Sequence, residues 1–313
     1  MVGYGTNDGG MVIDLSDMKA ITVDPQRRIT RLESGLTWRE VANALQPYGL
    51  ALTSGDTGTV GVGGLLLGGG IGWMVRKYGL TIDHLRAVEL VTADGEMVRA
   101  SADENAELFW GLRGGGGNFG IATAFEVDLH PAGMVLAGTV FYEASEAERI
   151  LQDYARHAMA APDELSTHAL LIAAPPAPFI PTDKQGTPVV AIRVCYTGDL
   201  AEGERVVAPL RQLATPIADL VAPIPYSAIF ASTGVGEIRE LQHHVRSQFF
   251  ETLSDEMLHA LVEAAQAIMS PPDADATARP GWGDGPSSER GDSVCTSRQT
   301  SGSGGHQFRP TIR

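Results

Sequence analysis

The sequence predicts an α+β protein of two successive domains, the second a sheet covered by helices. Three observations carry that expectation. Short strand and helix patterns alternate through the first third and stop at His130–Gly133 (HPAG), where proline and glycine punctuate the chain. Glycine is abundant, with 37 in 313 residues, about 12% against about 7% in average proteins. Fifteen of the 37 fall in two blocks ahead of that boundary. From Met134 the glycine density drops and longer strand and helix patterns take over.

Each element of the first domain has a local reason. Met11–Leu15 (MVIDL) reads as a short strand. Ala20–Val23 and Ile29–Glu33 read as a hairpin around Asp24–Arg28 (DPQRR), which carries turn chemistry. Thr37 is placed as an N-cap for Trp38–Leu45 (WREVANAL), whose apolar residues recur at helical spacing, and Gly49 is a C-cap candidate. Leu85–Thr92 reads as a buried strand turning at Asp94-Gly95 into Met97–Ala100. Asp103–Leu112 reads as a helix whose acidic first turn suits the helix dipole. Ile121–Leu129 (IATAFEVDL) alternates like a half-buried strand.

In the second domain Val135–Tyr142, Ala169–Ala173 and Pro188–Tyr196 read as strands. Ser145–Ala160, Ala201–Leu213 and Ser254–Met269 read as helices, and the proline-rich Ala174–Pro181 as a loop. The domains are therefore expected at 1–131 and 132–278. Residues 279–313 are rich in Gly, Ser and Arg with almost no periodic apolar residues, so a disordered tail is expected there.

Composition removes several function classes. Lys+Arg 23 against Asp+Glu 38 gives −15, and no basic cluster offsets it, so nucleic acid is a poor partner. The two cysteines, Cys195 and Cys295, supply neither a CxxC nor a disulfide framework. Residues 1–10 lack a basic start and an apolar core, and the apolar run Val60–Met74 is short and cut by glycines. A soluble cytoplasmic protein is the expectation. No HExxH or related spacing suggests a metal, and no GxSxG suggests a serine hydrolase.

The blocks are Gly55–Gly72 (GDTGTVGVGGLLLGGGIG) and Gly111–Gly120 (GLRGGGGNFG). The second contains a formal GxGxxG at Gly115, Gly117 and Gly120, but a helix precedes it and a strand follows, the reverse of the Rossmann order. In the first block Leu66 stands where a third glycine would be needed, and no GxxxxGK[ST] exists. Two readings remain from composition: tight turns between packed strands, or bare backbone N–H groups that approach a flat or anionic ligand, with Thr57, Thr59 and Asn118 beside them.

The order of motifs adds a third kind of information. Gly3–Ser16 (GYGTNDGGMVIDLS) is followed by Gly58–Gly72 (GTVGVGGLLLGGGIG), Arg76–Leu80 (RKYGL) with Asp83, then Asp94-Gly95 and Asn105–Ile121 (NAELFWGLRGGGGNFGI). This succession resembles the FAD-linked oxidases with a PCMH-type (VAO-like) domain, in their berberine-bridge-enzyme-like branch. The likeness runs almost continuously over 1–131. It continues more loosely through Tyr196–Asp199 (YTGD), Pro223–Tyr226 (PIPY) and the Arg246–Asp255 region.

The resemblance implies FAD held by backbone N–H groups between two α+β subdomains, and a substrate domain that roofs the isoalloxazine with a sheet. It implies hydride transfer from a CH–OH or C–N carbon of a small-molecule substrate to flavin N5, with O2 commonly reoxidising the flavin. A dehydrogenase with another acceptor, or a fragment without activity, are the alternatives. The small Val60 and Val62 would leave room for O2. The cofactor-binding positions carried over are Thr57, Gly58, Thr59, Val60, Gly61, Gly63, Gly64, Gly69 and Gly70, with Asn118, Gly120 and Ile121. The chain departs from the family at three points. The family's Arg-x-Gly-Gly-His segment, whose His often bonds the flavin, would lie before Met1. The cysteine that bonds flavin C6 in bicovalent members is matched by Thr57, so non-covalent FAD is expected. The closing Tyr/Asn segment is replaced after Ala278 by the tail. A shifted reading frame through a GC-rich gene would produce such a tail; the idea fails if neither shifted frame restores an apolar C-terminus.

Single residues are weaker signals. Tyr142, Tyr196 and Tyr226 are the phenols considered as a substrate-side base, which would need a neighbouring cation to lower the pKa. Tyr4 reads as packing, Asp83 as a cap or internal ion pair, His84 as surface. His243, His244 and Arg246 read as a solvated helix face, and Cys195 as a small core residue.

Overall fold

In a computed structural model, which describes residues 9–230 and 248–269, the chain builds two five-stranded sheets with different surroundings. The first begins with β1 (Ile21–Asp24) and β2 (Ile29–Glu33), paired antiparallel with Ile21 opposite Leu32. Helix α1 (Trp38–Leu45) comes next, started by a capping box: Glu40 N–H and Thr37 Oγ1 face each other while the Glu40 carboxylate accepts from Thr37 N–H at 2.7 Å. Its Trp38, Val41, Ala42 and Leu45 are buried, as the spacing predicts. Gly49 caps the short turn after it in the left-handed region, φ 63°.

β3 (Leu50–Ala51) leads through the first glycine block, which contains the short helix α2 (Val62–Gly68), to a second short helix, α3 (Val75–Tyr78). Then come β4 (Leu85–Val91), β5 (Met97–Ser101), α4 (Ala106–Leu112), β6 (Ile121–Asp128) and β7 (His130–Pro131). The first sheet has the order β1-β2-β6-β4-β5, with every pairing antiparallel, and β3 pairs with β7.

The second sheet starts with β8 (Met134–Glu143) and continues through α5 (Ala147–Ala160), β9 (Leu165–Ala173), β10 (Pro188–Tyr196), α6 (Leu200–Val207), β11 (Ala218–Asp219) and β12 (Ala222–Pro225). Its order is β11-β8-β10-β9, with β12 also on β8. Helix α7 (Asp255–Met269) packs beside α5. Alternation along the strands sends Leu136, Tyr142, Val190, Ile192 and Val194 to the helical side, into a core with Ile150, Leu151, Val207 and Leu210. The opposite face sends Val135, Ala137 and Cys195 into the core of the first sheet, with Tyr226 and Phe230. One face of the second sheet thus looks onto the first unit.

Arg76 fixes that junction. Its guanidinium donates to the carbonyls of Ala158 at 3.2 Å and Ala161 at 2.8 Å, at the C-terminal end of α5, and of Leu165 at 3.0 Å, the first residue of β9, so it satisfies them from across the interface. Lys77 adds a hydrogen bond to Thr197 O at 3.0 Å.

Several boundaries differ from the sequence expectation. Met11–Leu15 forms no strand; Met11, Val12 and Ile13 are exposed and have no ladder partner among the described residues. Helix α4 starts at Ala106 rather than Asp103, because the Ser101 hydroxyl accepts from Asp103 N–H and Glu104 N–H and Asn105 turns left-handed, φ 53°. α6 ends at Val207, since Pro209 tightens the residues after it into a 3₁₀ turn. α5 begins at Ala147 after a similar turn. β9 begins at Leu165, four residues before the expected start, and carries polar Ser166, Thr167 and His168 inside the ladder with β10. The tail, Tyr4, His243, His244 and Arg246 lie outside the described residues.

Candidate functional site

The two glycine blocks meet. The first is pinned to α1 by Trp38 N–H to Val60 O at 3.1 Å, Arg39 N–H to Gly58 O at 3.0 Å and Val62 N–H to Leu36 O at 2.8 Å. Those bonds leave Thr59, Val60, Gly61 and Gly64 exposed along one ridge. Gly61 is the N-cap of helix α2 and has no side chain to cap the N–H groups of Gly63 and Gly64 in its first turn. The second block lies against α2, held by Gly114 N–H to Leu67 O at 3.2 Å.

What a Cβ would meet divides the glycines. At Gly64 and Gly69 it would enter open space, and at Gly61 it would come no nearer than 3.9 Å to Leu36 O. At Gly63 it would make ordinary contact with Ser34. At Gly70 it would strike Thr81 Oγ1 at 2.2 Å, and at Gly120 it would strike Val91 O at 2.5 Å. Gly58 is closed in by Arg39 and Phe230 at 3.0 Å. Gly58, Gly70 and Gly120 are therefore required by the protein's own packing, and Gly69 by its φ of 130°, with its N–H bonded to Leu65 O and its carbonyl to Ile82 N–H; Gly61 and Gly64 leave backbone open on the ridge. Thr57 Oγ1 donates to Asp56 Oδ1 at 3.0 Å, and Asn118 Nδ2 donates to Gly115 O at 2.7 Å within its own turn. Ile121 opens β6 opposite Val91. Val60 lies on the ridge, but Val62 is fully buried in the first core and leaves no room on the open side.

Next to the ridge the second sheet contributes a polar cluster. Arg193 of β10 and His168 of β9 are register partners and face the first unit. Trp73 is buried between them: the Arg193 Cζ is 4.9 Å from its ring centre, and the His168 ring centre is 4.4 Å away, tilted 31°. His168 Nδ1 is 3.9 Å from Asp56 Oδ2, which links the cluster to the loop carrying Thr57. Burial pushes the His168 pKa down to about 4, against the opposing pull of Asp56 and with Arg193 adding to it, so the ring is neutral at pH 7. Burial also lowers the Arg193 pKa, and Asp56 opposes that.

The three phenols are placed differently. Tyr142 OH donates to Leu210 O at 2.6 Å inside the helical core, and burial raises its pKa to about 12. Tyr196 packs against Gly198 and Gly203, and burial raises its pKa too. Tyr226 lies in the first core, edge-on to Phe230, with its pKa raised by burial. In all three the shift runs opposite to what a base requires. His84 is buried rather than on the surface: its Nδ1 is 3.1 Å from His130 Nε2, and Tyr78 stacks on His130 at 3.8 Å. Asp83 caps its turn, accepting from Leu80 N–H at 2.9 Å, and lies 3.8 Å from Arg113. Cys195 is fully buried, with its thiol pKa pushed up by burial. A cleft of about 340 Å³ lies by Glu143, Asp183 and Lys184, away from the ridge, and Lys184 is already paired with Glu143 at 2.7 Å.

An open glycine backbone, with no carboxylate on the ridge among the described residues, suits an extended anionic ligand such as the pyrophosphate of FAD. Residues 1–101 match the FAD binding domain family. The (R)-6-hydroxynicotine oxidase of Paenarthrobacter nicotinovorans is 36% identical over 231 residues, 73% of this chain and 49% of that protein. An FAD-linked oxidoreductase of Dictyostelium discoideum is 31% identical over 263 residues, 83% of this chain and 55% of that protein. The structure of 6-hydroxy-D-nicotine oxidase from Arthrobacter nicotinovorans superposes with a TM-score of 0.71 at 28% identity, covering 86% of this chain and 58% of that one. The BBE-like 1 protein of Physcomitrella patens shares the fold, with a TM-score of 0.65 at 19% identity, over 80% of this chain and 56% of that one. The chain carries the FAD-binding domain of the FAD-linked oxidoreductases and has their PCMH-type fold. It spans about half the length of the curated relatives it matches.

The sequence named the ridge but missed the cluster. Its signal was a lone Arg in the apolar run of β10 (PVVAIRVCY) and a lone His in β9 (LSTHALLIA).

Proposed function

We propose that the chain is an FAD-dependent oxidoreductase that accepts a hydride from a CH–OH or C–N carbon of a small molecule, with O2 as the final acceptor. The flavin would supply the hydride acceptor at N5; the protein supplies orientation and electrostatics. The observation that carries the reading is the meeting of the two glycine segments on one open ridge beside the polar face of the second sheet. In this reading residues 1–131 form the cofactor domain and 132–278 the substrate domain. Backbone N–H groups at Gly61, Gly63 and Gly64 hold the phosphates, and Thr57, Thr59, Val60 and Gly69 line their path. Asn118 and Ile121 border it, with Gly58, Gly70 and Gly120 shaping the backbone. Thr57 has no thiol, so it forms no bond to flavin C6 and retention at this position is non-covalent.

Trp73, His168 and Arg193 wall the substrate side and exclude water from it. The test is titration of the purified chain with FAD, followed by an oxygen-electrode assay. Quenching of flavin fluorescence with O2 uptake supports an oxidase. Bound flavin that is reduced by substrate but ignores O2 supports a dehydrogenase. A chain that binds no flavin supports the reading favoured by its half-length coverage, a fragment without activity.

A further inference from the structure

We infer that Arg193 anchors the substrate, and that the substrate class is anionic and bound through a carboxylate. The inference rests on the reading that the glycine ridge and the second sheet enclose one site. Arg193 sits in the middle of an otherwise apolar strand, on the face turned to the first unit, and is half-buried. A guanidinium in such a place ordinarily has a carboxylate or several carbonyls as acceptors, because it carries five N–H donors and its burial is costly without them. Arg76, three residues beyond Trp73, shows such acceptors in place, donating to three carbonyls. Arg193 has no hydrogen-bond acceptor among the described residues; it is held by the Trp73 ring at 4.9 Å and by the more distant charge of Asp56.

A second donor in the same cluster has the same deficit. Trp73 Nε1 is buried with no partner among the described residues. Asp56 does not fill the gap: among the described residues it makes no hydrogen bond or ion pair with Arg193, while its Oδ1 accepts from Thr57 and its Oδ2 faces His168. The His168 ring is neutral and brings no competing charge. The cluster therefore lacks acceptors, not donors. A carboxylate presents two coplanar oxygens that match a guanidinium fork, and charge-assisted pairs of this kind are shorter and stronger than neutral ones. Trp73 stacks against the guanidinium and so sets the direction of the fork before a ligand arrives.

The experiment is isothermal titration of the full chain, incubated with FAD, with benzoate and with its neutral isostere benzamide. Benzoate is expected to bind about tenfold more tightly than benzamide, the gain of one charge-assisted contact. Arg193→Met is expected to abolish that preference and Arg193→Lys to keep part of it. Asp56→Asn, which removes the nearby negative charge, is expected to tighten benzoate and leave benzamide unchanged. Equal affinity of the two ligands for the unaltered chain overturns the inference, as does a preference that survives in Arg193→Met or benzoate binding weakened by Asp56→Asn. Flavin retention is read by visible absorption on the same samples. Flavin retained without a benzoate preference overturns the anchor alone. A benzoate preference without flavin overturns the cofactor reading and leaves the anchor standing.

Discussion

Replacing Arg76 by Met removes the guanidinium but keeps the stem that packs at the junction. Three hydrogen bonds from a charged donor are lost, to Ala158 O, Ala161 O and Leu165 O, at 2.8 to 3.2 Å. Each such bond has a net worth of about 1 kcal/mol, and the carbonyls left without a donor in a buried interface add to the cost. The expected loss is about 3–4 kcal/mol, a fall of about 10 °C in Tm for a chain of this size. Urea unfolding followed by tryptophan fluorescence and far-UV circular dichroism measures it. The exposed Arg205–Glu202 pair is the control: Arg205→Met is expected to cost less than about 0.5 kcal/mol. Arg76→Lys should fall between the two, because an ammonium cannot span three carbonyls set around a fork. A loss below about 1 kcal/mol for Arg76→Met would refute the argument that this residue ties the second sheet's helix to the first unit.

Other perturbations separate structural from ligand-facing groups. Gly70→Ala is expected to destabilise the fold by more than about 2 kcal/mol through the clash with Thr81, whereas Gly64→Ala should leave the melting curve unchanged and weaken FAD in a fluorescence titration. Tyr142→Phe should cost about 1–2 kcal/mol by orphaning the Leu210 carbonyl and leave FAD affinity unchanged, since the phenol is sealed in the helical core. His130 is held neutral by burial, with a pKa of about 4 against the usual 6.5. The unfolded chain takes up a proton first as pH falls, so stability is complete above about pH 6.5 and declines toward pH 4. His130 alone accounts for about 2 kcal/mol of that decline, less than the full shift because the ring is not fully enclosed. Urea midpoints at pH 7, 5.5 and 4.5 should converge for His130→Asn relative to the unaltered chain; parallel midpoints would contradict the assignment.

Local chemistry made part of this fold readable. Thr37 as N-cap and the helical spacing of the apolar residues place α1 to the residue, and the structure adds Glu40 as the other half of a capping box. The apolar run of β10 and the hairpin strand β2 were equally plain. Helix α2 was not, because three of its seven residues are glycine; burial of Val62, Leu66 and Leu67 in the first core overrides propensity. The polar start of β9 hid a strand whose partners are supplied by β10. At the site, the glycine blocks were legible as a motif, yet only the three-dimensional packing tells Gly61 and Gly64 from Gly70 and Gly120. The cluster of Asp56, Trp73, His168 and Arg193 joins four stretches of chain through tertiary contacts, which no spacing rule encodes.

The central claim is that the open backbone at Gly61, Gly63 and Gly64 is the protein's grip on FAD. Its most direct measurement is fluorescence titration of free FAD with the full chain, beside Gly61→Ala and Gly64→Ala variants of verified stability. The account predicts saturable quenching by the unaltered chain and affinity reduced at least about tenfold in both variants. Quenching that is absent in all three, or identical in all three, would contradict it.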